Sequence, residues 1–337
     1  MKITYTLSDE EKTLLENEFK NIKSNPYFEH EIFKSEIQGL ISSNKIPNGL
    51  IEICNNINKE RILQGIHVHV LSNCVIDRNL PDLNLDDPVN DKYLSKKTFY
   101  AECFMELIAQ LQNTPIFAYE SRNNGDYYTD LVAFNKYKGK KTGFTDGDLV
   151  YHSDRTYHPV RADYVSLLGL KVAEKELIYT NYIDVKELKK YLDEETISLL
   201  SQEIFITEVD DRSKEMNLAW ENSICHAIFI NENEIRYQDT FTHPQDPNNI
   251  NAIKALIKLK DAMSKSKKIR HQIKEGELLI FGNQTGIHNR EWIDVNNLED
   301  GRKRWLLKTY SFSDISKITK YSKWTRNNNL LIIIDKE

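Results

Sequence analysis

The chain is predicted to be an α+β protein with a mostly β core flanked by helices. Three observations carry this. The first 60 residues show helix-spaced apolar positions separated by breaks. From Pro115 onward, short strand-like runs follow one another with few helical stretches between them. No internal repeat and no long linker divides the 337 residues, so a helical layer packed on a closed or sandwiched β core fits the order. Residues 1–337 read as a single domain, with 1–112 an N-terminal layer of helices and one strand, and 113–337 the β core with a helical insert.

Ser8 opens the first helix as N-cap, with Glu11 three residues on as its capping-box partner. Leu14, Leu15 and Phe19 give its apolar face, and Pro26 follows in a break. Residues 28–44 read as a second helix and 47–59 as a short third. In 61–77 the pattern changes: Ile66, Val68 and Val70 alternate with His67 and His69, as on a strand. The two histidines have metal-ligand spacing, but no carboxylate cluster adjoins them. They read as the less buried face of that strand. Residues 79–91 read as a loop and 95–112 as a helix, with Phe99, Cys103, Leu107 and Leu111 at helical spacing.

Strands are expected at 116–119 and 127–134, then a polar, glycine-containing loop at 135–147. The 151–171 stretch and 177–183 are again strand-like. Asp184 is placed to cap a helix running to about Leu200. Residues 209–223 carry few apolar side chains and suggest a mobile segment, a candidate lid that closes over substrate. Two strand-like runs, 227–230 and 235–237, flank a turn. Residues 249–267 form a helix with Ile253, Leu256, Leu259 and Met263 along one side. Runs at 277–281, 304–312 and 330–334 finish the strands. Whether 313–337 complete the β core or extend from it is open at this level.

Composition narrows the function class. A hydrophobic content of 40% and a charged content of 28% suit a folded soluble chain with a sizeable core. The net charge of −6 argues against a nucleic-acid surface. No apolar run reaches the roughly 18 residues needed to span a membrane, and the acidic N-terminus lacks an apolar signal core. Cys54, Cys74, Cys103 and Cys225 are widely spaced, as expected of reduced thiols in a cytoplasmic protein rather than a disulfide frame or zinc site.

The chemistry centres on His152 and Asp154 in YHSDRTYHPVRADYVSLLGLK. On an extended strand, residues two apart face one side, so an imidazole and a carboxylate aim at one spot. His288 follows a separate strand-like run in LLIFGNQTGIHNR. Two histidines and one carboxylate make the facial triad of a non-haem Fe(II) oxygenase, with positions left open for substrate and oxygen. Downstream, EDGRKRWLLKTY supplies Arg302, Lys303 and Arg304. A guanidinium fork binds a carboxylate bidentately. Arg302 and Lys303 read as a solvated turn, whereas Arg304 begins an alternation (Arg304, Leu306, Lys308 against Trp305, Leu307) that turns it inward.

These stretches resemble the clavaminate synthase-like group of Fe(II)/2-oxoglutarate dioxygenases, the branch that hydroxylates free arginine, asparagine and lysine. The resemblance rests on HSDRTYHPVRADYVSLLGLK, GELLIFGNQTGIHNR and DGRKRWLLKTY, with GIHVHVLSNCVIDRNLP weaker, and covers about residues 60–310. It implies a distorted double-stranded β-helix, or jelly roll, flanked by helices. It also implies Fe(II) on His152, Asp154 and His288, with 2-oxoglutarate and O2 as co-substrates. Arg304 matches the arginine that holds the far carboxylate of 2-oxoglutarate, and Thr180 falls where the family places a threonine on that carboxylate. Thr180 is equally a β-former in a strand. Lys308 lies where the family usually has an arginine for the substrate carboxylate; a lysine pairs there, but not bidentately.

Two further departures are visible. Many enzymes of this branch have HxE where this chain has HxD, so contact with the substrate amine is weakened. The spacing from His288 to Arg304 is longer than the family's by two residues, which keeps Arg302 as the alternative anchor. A carboxylate at Asp154 argues against halogenation, which needs that coordination position for halide. On the substrate side, Glu120 and Arg122 lie near the family's amine-contacting segment. Asp239 lies near the acids that arginine-type enzymes use for a distal cation. Glu120 and Asp239 also read as ordinary solvated charges. The reading favours hydroxylation of a free L-amino acid, lysine or arginine first, to give succinate and CO2. The alternatives are a related oxygenase on another small molecule and a non-catalytic β-barrel module that binds a carboxylate.

Overall fold

The computed structural model describes residues 2–138, 147–173, 175–216, 220–294, 297–326 and 329–334. The N-terminal layer comprises β1 (Tyr5–Thr6), α1 (Asp9–Phe19), α2 (His30–Ser42), α3 (Asn48–Lys59), β2 (Val68–Ser72), α4 (Pro88–Ser95) and α5 (Tyr100–Leu111). Then come β3 (Ile116–Tyr119), β4 (Thr129–Leu131), β5 (Leu149–His152), β6 (Tyr164–Lys171) and β7 (Leu177–Asp184). An insert follows: α6 (Val185–Lys189), α7 (Glu194–Leu200), β8 (Phe205–Thr207), α8 (Asp211–Met216), β9 (Thr242–Pro244) and α9 (Ile250–Lys265). The chain returns through β10 (Ile269–His271), β11 (Leu278–Gly282), β12 (Gly286–Asp294), α10 (Leu298–Arg302) and β13 (Trp305–Ser311). It ends in α11 (Ser316–Lys320), β14 (Thr325–Arg326) and β15 (Asn329–Ile333).

The strands form a large sheet in the order β1-β2-β11-β6-β13-β3-β15-β14, with β4 also on β13, and a smaller one in the order β10-β7-β12-β5. A short β8–β9 pair stands apart. The β11, β6 and β13 strands are neighbours in antiparallel register, and β13 shows why the alternation in its sequence matters. Trp305 is buried on one side, where its indole donates to Asp130 at 2.9 Å. Arg304, Leu306, Lys308 and Tyr310 line a cavity on the other. The main core lies under α1–α3 and α5 against the large sheet. A second cluster joins α6, α7 and α9 to the small sheet. Gly169 on β6 has a chain requirement: an added Cβ would lie 2.1 Å from the Lys274 carbonyl. Among the described residues, no helix is long and apolar enough to cross a membrane.

Several elements differ from expectation. Ser8 and Glu11 form the expected capping box. The expected 79–91 loop ends in α4, because Pro88 is preset for the first turn of a helix. The following helix begins at Tyr100, not at 95. The 127–134 strand shrinks to β4, whose three residues find a partner in β13. The 184–200 helix is two: Asp184 caps α6, and Asp193 caps α7 by accepting from Thr196 N at 2.8 Å. The pair at 227–237 is reduced to a single bridge, Phe229 to Ile235. His69 is not on a more open face. It is 1% exposed and pairs with Glu60 at 3.0 Å, because β2 is flanked by β1 and β11. Residues 325–326 and 329–333 do join the large sheet. The loop at 139–146 and positions 217–219 of the 209–223 segment lie outside the described residues.

Candidate metal centre and active-site cavity

His152 is the last residue of β5, and Asp154 lies two residues on, in the turn that follows. The two therefore do not share a strand face. A clamp brings them together: Ser153 N donates to the Tyr237 carbonyl at 2.9 Å, and Asp154 N donates to Asn283 Oδ1 at 2.7 Å. Asn283 is fully buried and its amide also donates to the carbonyls of Ala162 and Asp154, at 3.1 and 3.3 Å. His288 arrives from β12, whose register sets it directly opposite His152. The potential ligand atoms of His152, Asp154 and His288 all lie within 4.8 Å of one another. His152 Nε2 is 3.4 Å from Asp154 Oδ1, and His288 Nε2 is 3.9 Å from Oδ2.

The donor set fits a divalent cation that accepts mixed nitrogen and oxygen ligands. His152 Nδ1 donates to the Val150 carbonyl at 2.8 Å, which fixes the tautomer and leaves Nε2 with its lone pair facing Asp154. The His288 ring packs against Phe281 at 4.5 Å, and its Nδ1 is buried with no hydrogen bond among the described residues. Burial and the neighbouring His152 hold His288 well below the usual imidazole range, so it is neutral and competent to ligate. Burial pushes the Asp154 carboxyl up, but the Lys308 ammonium beside it outweighs this and holds it well below the usual range. Lys308 forms a close ion pair with Asp154 Oδ2. A bare buried carboxylate is thus matched by one cation, a role a metal ion would share.

The site opens into a cavity of about 110 Å³ between the two sheets. Thr180 on β7 and Arg290 on β12 are register partners, and both line it with Arg304. Burial and the nearby Arg290 pull Arg304 down to about 9. No ion pair of Arg304 exists among the described residues, so this end is made for an anion. Arg302 does not line the cavity; it is buried at the end of α10 and donates to Asn135. The alternative anchor is therefore directed elsewhere.

Of the expected substrate contacts, Lys308 and Arg122 line the cavity. Glu120 and Asp239 do not. Glu120 is 40% exposed and pairs with Arg326 at 2.6 Å. Asp239 pairs with Lys260 at 3.0 Å and accepts from Tyr237 at 2.9 Å. Sequence reasoning did not assign Arg155, Asp210, Asn283 or Arg290. Arg155 adjoins Asp154, and Asn283 and Arg290 lie in the GNQTGIHNR stretch, so proximity to the triad was the available signal. Asp210 had none: it comes from the polar 209–223 segment, and Arg122 holds it at 3.0 Å.

No protein-family model and no curated protein matches the chain in sequence. Solved structures match in shape. Asparagine oxygenase in complex with Fe(II), 2S,3S-3-hydroxyasparagine and succinate superposes with a TM-score of 0.80 at 17% identity, over 98% of this chain and 99% of that one. The non-heme iron oxygenase OrfP with Fe, succinate and (3R,4R)-dihydroxy-L-Arg gives 0.78 at 15% identity, with coverage of 98% and 99%. OrfP with Fe and alpha-ketoglutaric acid gives 0.74 at 16% identity and the same coverage. Across nearly its whole length, the chain has the fold of these iron oxygenases.

Proposed function

We propose that the protein is an Fe(II)/2-oxoglutarate-dependent oxygenase that hydroxylates an unactivated C–H bond of a free amino acid, on a distorted double-stranded β-helix. One observation carries this reading: His152, Asp154 and His288 converge in a cavity that is also lined by Thr180 and by Arg304, a guanidinium with no ion pair among the described residues. A metal triad and a carboxylate anchor in one enclosed space are what a keto-acid oxygenase needs. The structural neighbours, which hold Fe with succinate or alpha-ketoglutaric acid, support the same assignment.

In this reading His152, Asp154 and His288 hold the iron, which with 2-oxoglutarate and O2 supplies the oxidising chemistry when bound. Arg304 and Thr180 take the far carboxylate of 2-oxoglutarate, and this fixes which way the co-substrate lies. Asn283 keeps the Asp154 turn in place. Leu131, Leu149, Leu167 and Leu306 give the cavity apolar walls that exclude water from the reacting centre. The sequence favours lysine or arginine as substrate, but the two acids behind that preference, Glu120 and Asp239, are paired outside the cavity.

The test is succinate formation by protein reconstituted anaerobically with Fe(II), then given 2-oxoglutarate, oxygen and free amino acids. His152→Ala and Asp154→Ala should each abolish turnover while circular dichroism stays native. Unchanged turnover in either variant would remove the triad assignment.

A further inference from the structure

Arg304 sits just before an irregular start to β13. The pairing of β13 with β6 slips between Trp305 and Leu306, where the partner moves from Lys171 to Gly169. On the other edge, the ladder with β4 begins only at Leu306, opposite Leu131. Arg304 thus lies outside the regular ladder on both edges. Its N–H donates to the Gly301 carbonyl at 3.3 Å. Its guanidinium has no hydrogen bond and no ion pair among the described residues, so the backbone around it decides where it points.

Side chains take the place of the missing ladder. Leu131 on β4 stands opposite Leu306, and both line the cavity, whereas Asp130, opposite Leu307, turns the other way. There Asp130 Oδ1 accepts from the Trp305 indole at 2.9 Å, and Oδ2 accepts from Lys92 Nζ on α4 at 2.7 Å. The side chains of Lys92 and Asp130 are both 0% exposed. Lys92 also donates to Asp126 at 2.8 Å, and its ammonium lies 3.6 Å from the centre of the Tyr27 ring. On the other flank, Arg302 donates to Asn135, whose side-chain amide donates to Asp86 at 2.6 Å. Both flanks of Arg304 are therefore tied, through Asn135 and Asp130, to the segment that leads into α4 and forms it.

A buried ion pair adds little net stability over apolar groups of the same volume, so the location of this one is its informative feature. Irregular strand pairings kink the backbone and re-aim a side chain, and they recur beside active sites. Each carboxylate oxygen of Asp130 has its own donor, which fixes the orientation of the group. The indole bond then holds Trp305 where the pairing slips. A binding group misplaced by about 1 Å can lose about two orders of magnitude in rate.

Resting on the oxygenase reading above, we propose that Trp305 and Asp130 are positioning residues for 2-oxoglutarate. They hold the irregular start of β13 so that Arg304 meets the far carboxylate of the co-substrate, and Lys92 locks Asp130 from α4. Neither Trp305 nor Asp130 lines the cavity; they act through Arg304. The N-terminal layer thereby contributes to co-substrate affinity without entering the site.

The experiment reads binding without turnover, by calorimetric titration of 2-oxoglutarate into anaerobic protein loaded with Fe(II). Wild type, Trp305→Phe, Arg304→Gln and the double variant are compared, and the Fe(II) affinity of each is measured. Trp305→Phe keeps an aromatic ring and removes the indole N–H. It should weaken 2-oxoglutarate binding about 10-fold, the scale on which residues that orient a binding group act, and leave Fe(II) affinity as in wild type. In the Arg304→Gln background the same change should shift 2-oxoglutarate affinity less than about 2-fold, because residues that act through one another are not additive. Unchanged 2-oxoglutarate affinity in Trp305→Phe overturns the proposal. Equal losses of Fe(II) and 2-oxoglutarate affinity overturn it too, since they mark general loosening. So does the full effect persisting without Arg304, or wild-type affinity in Arg304→Gln itself. Asp130→Asn keeps the shape and covers the case in which Trp305→Phe does not fold. An amide has one oxygen, so either the indole or the ammonium loses its acceptor. 2-Oxoglutarate binding should weaken while Fe(II) binding holds, and wild-type values of both overturn the role of Asp130. Wild-type protein that takes up Fe(II) but binds no 2-oxoglutarate removes the oxygenase reading itself.

Discussion

Lys308 makes a sharp test, because it links the stability of the metal-free protein to metal binding. Its ammonium pairs with Asp154 Oδ2 in a site where both side chains are largely buried, 8% and 11% exposed. Lys308→Met keeps much of the volume, as a flexible thioether fills the space of the lysine stem. It leaves the Asp154 carboxylate without its cation. Breaking one side of a buried pair costs about 3–5 kcal/mol. Unfolding entropy of about 2.1 cal/mol/K per residue, over 337 residues, corresponds to about 0.7 kcal/mol per degree. The metal-free variant should therefore unfold about 4–7 °C below wild type. A divalent cation on His152, Asp154 and His288 would supply the missing positive charge. It would also no longer be opposed by the lysine, so the rise in unfolding temperature on adding Fe(II) anaerobically should be larger in the variant by a similar amount. Differential scanning calorimetry with and without metal measures both quantities. An unchanged metal-free midpoint would mean that the pair does not contribute as the geometry requires. A smaller metal-induced rise would mean that Lys308 assists the metal rather than competes with it.

Other expectations follow from single contacts. Arg304→Gln should raise the KM for 2-oxoglutarate roughly 10- to 100-fold, the loss of one charge-assisted fork, with kcat less affected; if Arg302→Gln has that effect instead, the anchor is Arg302. Gly286→Ala would set a Cβ 2.4 Å from the Ile183 carbonyl and 2.4 Å from the Tyr182 ring. It should cost about 1–3 kcal/mol and weaken metal affinity by displacing His288, and native values of both would refute the argument. His158 is fully buried; its Nδ1 accepts from Val160 N at 2.9 Å, and its Nε2 faces the Ile334 carbonyl at 3.3 Å. Burial, aided by Arg155, pulls its pKa down to about 3. A base with a depressed folded-state pKa contributes stability that is present above its unfolded pKa of about 6.5 and is lost as pH falls from there. Between pH 6 and 5 the His158→Gln variant should accordingly lose about 1.4 kcal/mol less than wild type per pH unit, measured by urea unfolding. Parallel pH profiles would show that His158 takes up its proton in the folded protein.

Much of the site was legible because its signals are local. The alternation Arg304, Leu306, Lys308 against Trp305, Leu307 sets Arg304, just before β13, and Lys308 within it towards the cavity and buries the indole elsewhere, and that is how they lie. Capping chemistry placed the starts of α1 and α6 for the same reason: the donor and acceptor are only a few residues apart. The errors are those in which a distant partner decides. The length of β4 depends on what β13 offers as a ladder, and the burial of His69 depends on β1 and β11 flanking its strand. Glu120 and Asp239 fell close to the expected segment in sequence, yet their ion-pair partners Arg326 and Lys260 lie on the outside of the cavity.

By itself the sequence determined the residue types and order of the candidate metal ligands, and the face of β13 on which Leu306 and Lys308 lie, which follows from alternation along one strand. Tertiary structure alone decided the rest. Asp154 reaches His152 through a turn clamped by Asn283 from a different strand, and His288 meets both because β12 pairs with β5 in one register. The charges that line the cavity beyond the triad, Arg122 and Asp210 among them, come from segments 88 residues apart in sequence. A chain read in one dimension cannot add such fields, because Coulomb interactions depend on distance and burial in the folded state and not on separation along the sequence.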